Sequence, residues 1–308
     1  MIVIGVISTK GGVGKTTIVA NLGACLAHMG FRVLMIDSDI QPSLSKYFPI
    51  SKLAPNGLSK VIRDYTITEN EVSEITIPGM SLAHGQRPVL DLIYSDSPEG
   101  EIQSWLATMG DRLLRLKWPI HQSPYLNDVG YDFVIVDNQG AVGPLQDASA
   151  IAASVLISPV VPETLSAREF LAGTSELINR LSRSAMMMSI ELGHIKGLIY
   201  RQTRTIDSKA ITREIREQFV RLGGKVDALQ TVIPSAKAYV EASTRRMPVH
   251  LHDPAPTGAS PSGYQLIHEL IYELVPHIAD LGVFAPVHGA DLGWLARRQS
   301  AAQAAEEA

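Results

Sequence analysis

Residues 9–17 read Thr-Lys-Gly-Gly-Val-Gly-Lys-Thr-Thr, and the reading of this stretch decides the fold. It follows an apolar run, Ile2-Val3-Ile4-Gly5-Val6-Ile7. A helical pattern begins near Lys15 and runs through Met29, with Ile18, Leu22, Cys25, Leu26 and Met29 at helical spacing. Strand, glycine-rich turn and helix form the setting that a phosphate-binding loop requires. Glycines let backbone N–H groups turn inward and approach phosphate oxygens closely. The helix start adds its partial positive charge. In such a loop Gly11, Gly12, Val13, Gly14, Lys15, Thr16 and Thr17 surround the phosphates; Lys15 reaches the β- and γ-phosphates, and the Thr16 hydroxyl ligates Mg²⁺.

Outward from the loop, Gly30 stops the first helix, and Arg32-Val33-Leu34-Met35-Ile36 reads as a second strand, completing a βαβ unit. Tyr131-Asp132-Phe133-Val134-Ile135-Val136-Asp137 is a near-continuous apolar run, as expected of a parallel strand covered on both faces. Further strands are expected at 89–94, 154–158, 195–200 and 229–233. Helices are expected at 97–118, 167–184, 207–222 and 264–281, with a short one after Pro234. Residues 43–88 are of mixed pattern, with short helical stretches at 44–48 and 57–63, and belong on the periphery. Residues 247–262, rich in Pro, Gly and His, read as a loop. This alternation predicts an α/β protein: a doubly wound, mostly parallel sheet with helices on both faces. Ligands of such sheets sit beyond the carboxyl ends of the strands, where Thr9, Asp37 and Asp137 all fall.

The carboxylates add chemistry. Asp137 ends an apolar strand, where it can hold Mg²⁺ or its waters opposite Thr16. Asp37 and Asp39 end the second strand at period-two spacing, on one side of an extended chain, and two like charges so close need a cation or water network.

Lys10-Gly11-Gly12-Val13-Gly14-Lys15-Thr16 resembles the deviant Walker A motif of the ParA/MinD superfamily of P-loop ATPases, with Thr9 where the general pattern has glycine. Asp37-Ser38-Asp39-Ile40-Gln41 resembles the family's second motif, with Ile40 in place of its proline. Val136-Asp137-Asn138-Gln139-Gly140-Ala141 and Thr231-Val232-Ile233-Pro234 resemble its later ones, and the wording is similar to ParA-type proteins carried on integrative and conjugative elements. The resemblance covers Met1 to about Leu281. It implies ATP with Mg²⁺ as cofactors and a homodimer in which Lys10 crosses to the partner's nucleotide. It also implies catalysis by Lys10, Lys15 and Asp39, the last orienting the attacking water. Asp37 and Asp137 would serve the magnesium shell through water, Asn138 and Gln139 would lie near the γ-phosphate, and Pro234 near the adenine. The implied function is partitioning of a plasmid, mobile element or chromosome, with a ParB-like centromere-binding protein stimulating hydrolysis. A MinD-like membrane switch and a metabolic ATP-dependent ligase or kinase are the alternatives.

Composition limits the rest. The chain has 308 residues, 45% hydrophobic and 19% charged, with net charge −4. That is enough for one large α/β domain, expected at 1–288 and followed by a tail, 289–308, expected to be partly disordered. Cys25 is the single cysteine, which excludes an internal disulfide; it also counts against the iron–sulfur branch of the resembling family. Met1 leads directly into the first strand without a basic leader, and no run approaches a membrane span, so a cytoplasmic, nucleoid-associated protein without membrane attachment is expected. The acidic net charge does not itself point to nucleic acid. Residues 196–225, however, hold eight Lys or Arg against three acids. There Ile211, Ile215, Phe219 and Leu222 form one helix stripe, with Lys209, Arg213 and Arg216 opposite. With Arg204, which aligns with a DNA-contacting arginine of the resembling family, and Lys237, they form the expected face for non-specific DNA.

Overall fold

The computed structural model describes residues 1–82, 85–221, 225–294 and 297, with 164–172 described by backbone alone. Nine strands form one sheet: β1 Ile2–Val6, β2 Val33–Ser38, β3 Ile50–Lys52, β4 Ser73–Ile75, β5 Leu90–Ile93, β6 Phe133–Asn138, β7 Val155–Val160, β8 His194–Gln202 and β9 Val226–Pro234. Their order is β3-β4-β5-β2-β6-β1-β7-β8-β9. The seven strands from β5 to β9 in that order run parallel, while β3 and β4 extend one edge antiparallel. Every residue of β2 and β6 is buried, because helices cover both faces and leave no side of these strands for water.

Each face has its own core. On one, the helix Lys15–His28 lies between the sheet and the helix Gly263–Leu274, so it is apolar nearly all round. It approaches β2 so closely that a Cβ on Gly23 would fall 2.8 Å from Met35 Sδ. Cys25 is fully buried there, and burial pushes its thiol pKa up, so it acts as a small apolar residue. On the other face, Leu177, Ile178 and Leu181 of the helix Thr164–Met187 pack with Ile215 and Phe219 of the helix Ile206–Arg221.

Several expectations change. The helix expected over 97–118 is broken into Glu101–Ala107, a 3₁₀ turn at Arg112–Leu114, and Lys117–Gln122, followed by Pro124–Val129. Ser123 caps the last of these by accepting from Leu126 N–H at 3.1 Å, with Pro124 at its first position. The helix expected over 264–281 ends at Leu274 and restarts at Pro276, whose missing N–H cannot continue the ladder. Residues 44–47 form turns, while Leu58–Asp64 is helical and 43–88 supply the antiparallel edge. The 247–262 loop holds one helical turn, Val249–His252. Near the chain end, Trp294 stacks on Tyr272, ring centroids 6.4 Å apart, and donates Nε1–H to Glu269 Oε1 at 3.2 Å. The tail is therefore packed on the body as far as Trp294; the expectation for residues 295–296 and 298–308 lies outside the described residues, as does Leu222.

Candidate functional site

The loop leaves β1 and turns through two left-handed glycines, Gly12 at φ 73° and Gly14 at φ 87°. Gly14 is required twice over. A side chain there would be strained by φ alone, and its Cβ would fall 2.1 Å from the Tyr200 ring. The Tyr200 hydroxyl is hydrogen-bonded to Thr17, so the end of β8 supports the loop from beneath. Tyr200 is a site residue the sequence reading missed; its only signal was its place at the end of an expected strand.

Lys15 is buried, and its Nζ donates to the Lys10 carbonyl at 3.3 Å. Burial lowers its pKa, against the pull of Asp137 and Asp39. Thr16 Oγ1 donates to Asp137 Oδ2 at 2.6 Å. Asp137 is 1% exposed, and its other oxygen, Oδ1, has no hydrogen-bond partner. Burial first, then the negative charge of Asp37, pushes its pKa up to about 8. A hard cation suits this arrangement: a buried carboxylate with one oxygen outside any hydrogen bond, a hydroxyl beside it, and a second carboxylate opposite in the β2–β6 register. The described residues contain no cluster of three or more His, Cys, Asp or Glu that could hold a metal. Mg²⁺ brought by nucleotide phosphates fits the donor set, with Thr16 and Asp137 as the protein groups that would hold it.

Asp37 is tied into the following turn. It is fully buried, and Oδ2 accepts from Ser45 N–H at 2.7 Å and Ser45 Oγ–H at 2.6 Å, while Oδ1 accepts from Asp39 N–H at 3.3 Å. These bonds make it the organiser of the 39–45 turn, with its pKa pushed up to about 6 by burial against the Ser45 hydrogen bonds. Asp37 is thus held by the turn while it faces Asp137 across the β2–β6 register. The strand ends at Ser38, and Asp39 turns away to accept from Gln41 N–H at 3.0 Å and to line the cleft.

That cleft, about 810 Å³, brings together Gly11, Gly12, Gly14, Lys15, Thr16, Thr17, Asp39 and Gln139. Gln139 Nε2–H donates to Gln103 Oε1. Asn138 is fully buried within the sheet and does not line the cleft. Val13 is buried beneath the loop, and Lys10 N–H donates to Ser8 Oγ at 3.1 Å. An adjoining cavity of about 340 Å³ shares Gly12, Gly14 and Thr17 and is lined beyond them by Tyr200, Arg201, Pro234 and Tyr239. Pro234 thus stands one step from the loop, where a nucleobase would extend. Arg201, in the same wall, takes a left-handed backbone at φ 58°.

The basic residues divide. Arg204, Lys209, Arg213 and Lys237 are exposed. Arg204 and Lys237 follow β8 and β9, at the same end of the sheet as the loop. Arg204 Nη2–H donates to Ser260 Oγ. Arg216 is turned inward instead, donating to Gln230 Oε1 at 3.1 Å and to the carbonyls of Leu229 and Gln230 at 3.1 and 2.9 Å. Those carbonyls lie where the β8–β9 register shifts, so Arg216 satisfies backbone that the ladder cannot. It clasps β9 to the helix Ile206–Arg221.

Comparison with known proteins agrees with this geometry. Residues 1–192 match the family model AAA_31, described as an AAA domain. The sporulation initiation inhibitor protein Soj of Bacillus subtilis (strain 168) is 27% identical over 259 residues, spanning 83% of this chain and 93% of Soj. The chromosome partitioning protein ParA of Caulobacter vibrioides is 26% identical over 253 residues, 82% of this chain and 87% of that protein. The septum site-determining protein MinD from Pyrococcus horikoshii OT3, solved with Mg-ADP, superposes with a TM-score of 0.63 at 20% identity, covering 90% of this chain and 97% of its own; it shares the fold. With its deviant lysine loop, its parallel sheet and these relatives, the chain belongs to the AAA_31 family, within the ParA/MinD superfamily of P-loop ATPases.

Proposed function

We propose that this protein is an ATP-hydrolysing switch that partitions a DNA element. The observation that carries the ATPase reading is the Thr16–Asp137 pair beside buried Lys15, with Asp137 Oδ1 left for a cation. Bound Mg²⁺ would neutralise charge on the β- and γ-phosphate oxygens. Gly11, Gly12 and Gly14 present backbone N–H groups to the phosphates, and Lys15 supplies a desolvated positive charge. Asp39, at the cleft wall, orients a water whose oxygen attacks the γ-phosphorus as the β–γ bridge bond breaks, giving ADP, inorganic phosphate and a proton. Two chains close on ATP, with Lys10 of each reaching the partner's nucleotide. The site is contained within residues 1–288, taken as one ATPase domain.

The partitioning role takes its support from the relative named for chromosome partitioning, from exposed Arg204 and Lys237 at the nucleotide end of the sheet, and from exposed Lys209 and Arg213 on the helix Ile206–Arg221. These would meet phosphates through counterion release, without reading bases. A ParB-like partner would stimulate hydrolysis and release. Among the described residues no helix is long and apolar enough to cross a membrane. The test is a DNA titration with ADP, ATP and a non-hydrolysable analogue at two salt concentrations. Binding with ATP that falls steeply with salt is expected; equal binding in all three nucleotide states would overturn the switch.

A further inference from the structure

We propose that Gln146 is a positioning residue, a clamp that fixes the loop after β6 against the start of the phosphate loop, with Arg180 as its handle on the helix Thr164–Met187. The inference rests on the ATPase reading above. Strands β1 and β6 are paired as far as Val6 and Asp137. Two residues further, Ser8 and Gln139 would face each other, but there the ladder has opened because both chains turn outward to form the cleft. Gln146, fully buried in the helix Pro144–Ala152, spans the gap. Its Nε2 donates to the Ser8 carbonyl at 3.0 Å and to the Gln139 carbonyl at 3.2 Å. Both amide hydrogens are thereby used, one on each chain. Its Oε1 accepts from Arg180 Nη2 at 3.3 Å, and the same Arg180 nitrogen donates to Asp147 Oδ1 at 2.7 Å.

No other side chain of this size does the same work. Glutamate has no hydrogen to offer two carbonyls, and leucine fills the volume but leaves both acceptors unpaired. The position matters because Gln139 stands in the wall of the cleft that Lys15 and Asp39 also line. The clamp therefore sets how far that wall stands from the phosphates. The helix bearing Arg180 touches the loop at a second point: a Cβ on Gly173 would fall 2.5 Å from Thr9 Oγ1. A shift of this helix is thus transmitted to both sides of the cleft.

The test compares Gln146→Leu and Arg180→Met with the wild-type chain, measuring kcat and KM for ATP, the Kd for Mg-ADP, and amide hydrogen exchange over residues 139–142 in nucleotide-free protein. Gln146→Leu is expected to lower kcat about tenfold with the Mg-ADP Kd within about twofold, and to speed exchange in that segment several-fold. Arg180→Met should show the same split with a smaller fall. Unchanged kcat and exchange in Gln146→Leu would overturn the clamp, as would a loss of Mg-ADP affinity equal to the loss in kcat. Should Gln146→Leu fail to fold, the partly exposed Arg180 carries the test, and unchanged kcat and exchange in Arg180→Met overturns the proposal. If the wild-type chain turns over no ATP, the ATPase reading falls, and exchange alone then decides for or against the clamp.

Discussion

Replacing Asp137 with asparagine should stabilise the nucleotide-free protein while removing its response to magnesium. The carboxylate is 1% exposed, faces Asp37 across the β2–β6 register, and has one oxygen without a partner. Its pKa is pushed up to about 8, whereas the unfolded chain ionises near an ordinary carboxylate value. The folded state therefore binds more protons than the unfolded state between about pH 4 and 8, and stability falls as pH rises through that window. At pH 7 the penalty is on the order of 4 kcal/mol. Asparagine lifts it and still accepts from Thr16, but its buried NH₂ replaces the unpaired Oδ1 and costs about 1–3 kcal/mol. The net gain is on the order of 2 kcal/mol, a rise of a few degrees in Tm for a chain of this size. The assay is calorimetric unfolding at pH 7, in chelator and then in Mg-ATP. The wild-type chain should gain about 2.7 kcal/mol at a hundredfold excess of ligand over Kd, and the variant should lose the magnesium-dependent part of that gain. An Asp137→Asn protein that melts no higher than wild type in chelator, or keeps its full magnesium increment, would refute the reasoning.

Lys15→Ala should abolish ATP binding, because a buried cation facing the phosphates is lost; retained affinity by calorimetry would remove the loop from its assigned role. Asp39→Ala should still bind ATP but hydrolyse it slowly, accumulating the dimer, and unchanged turnover would show that Asp39 does not orient the water. Lys209→Glu with Arg213→Glu should reduce the salt slope of DNA binding by about 2, whereas Arg216→Ala should lower Tm by uncapping two β9 carbonyls; a gel shift at low salt unaltered by the double substitution would leave that face merely solvated. Burial holds His268 down to about 4, and it lowers His28 and His250 as well. The unfolded chain takes up these protons first, so stability is lost as pH falls from about 6.5 to 4, by on the order of 3 kcal/mol for His268. His268→Gln should flatten the pH dependence of the denaturation midpoint between pH 7 and 5, and a midpoint that tracks wild type would assign that dependence elsewhere.

The phosphate loop and the parallel sheet were legible because their causes are local. Gly12 and Gly14 announce left-handed turns, and Val134–Val136 announce a strand covered on both faces. That Lys15, Thr16 and Asp39 meet in one cleft, with Asp137 bonded to Thr16, could be read from the loop and the strand ends. The bonds of Asp37 were not legible because period-two spacing assumes that the strand continues, and the strand ends at Ser38 once Ser45 returns to take the carboxylate. The bonds of Arg216 were not legible because helix periodicity gives a face but not what that face meets, here the irregular stretch of β9.

By itself the sequence determined the phosphate-binding turn, the alternation of elements and the carboxylates at the strand ends, since each depends on a few neighbouring residues and their allowed backbone angles. Only the tertiary structure decided that Tyr200 underlies Gly14, that Asp137 keeps one oxygen open, and that Gln146 bridges Ser8 and Gln139. Those contacts join segments far apart along the chain. Their geometry is set by how the covering helices and neighbouring strands pack, and no local pattern carries that information.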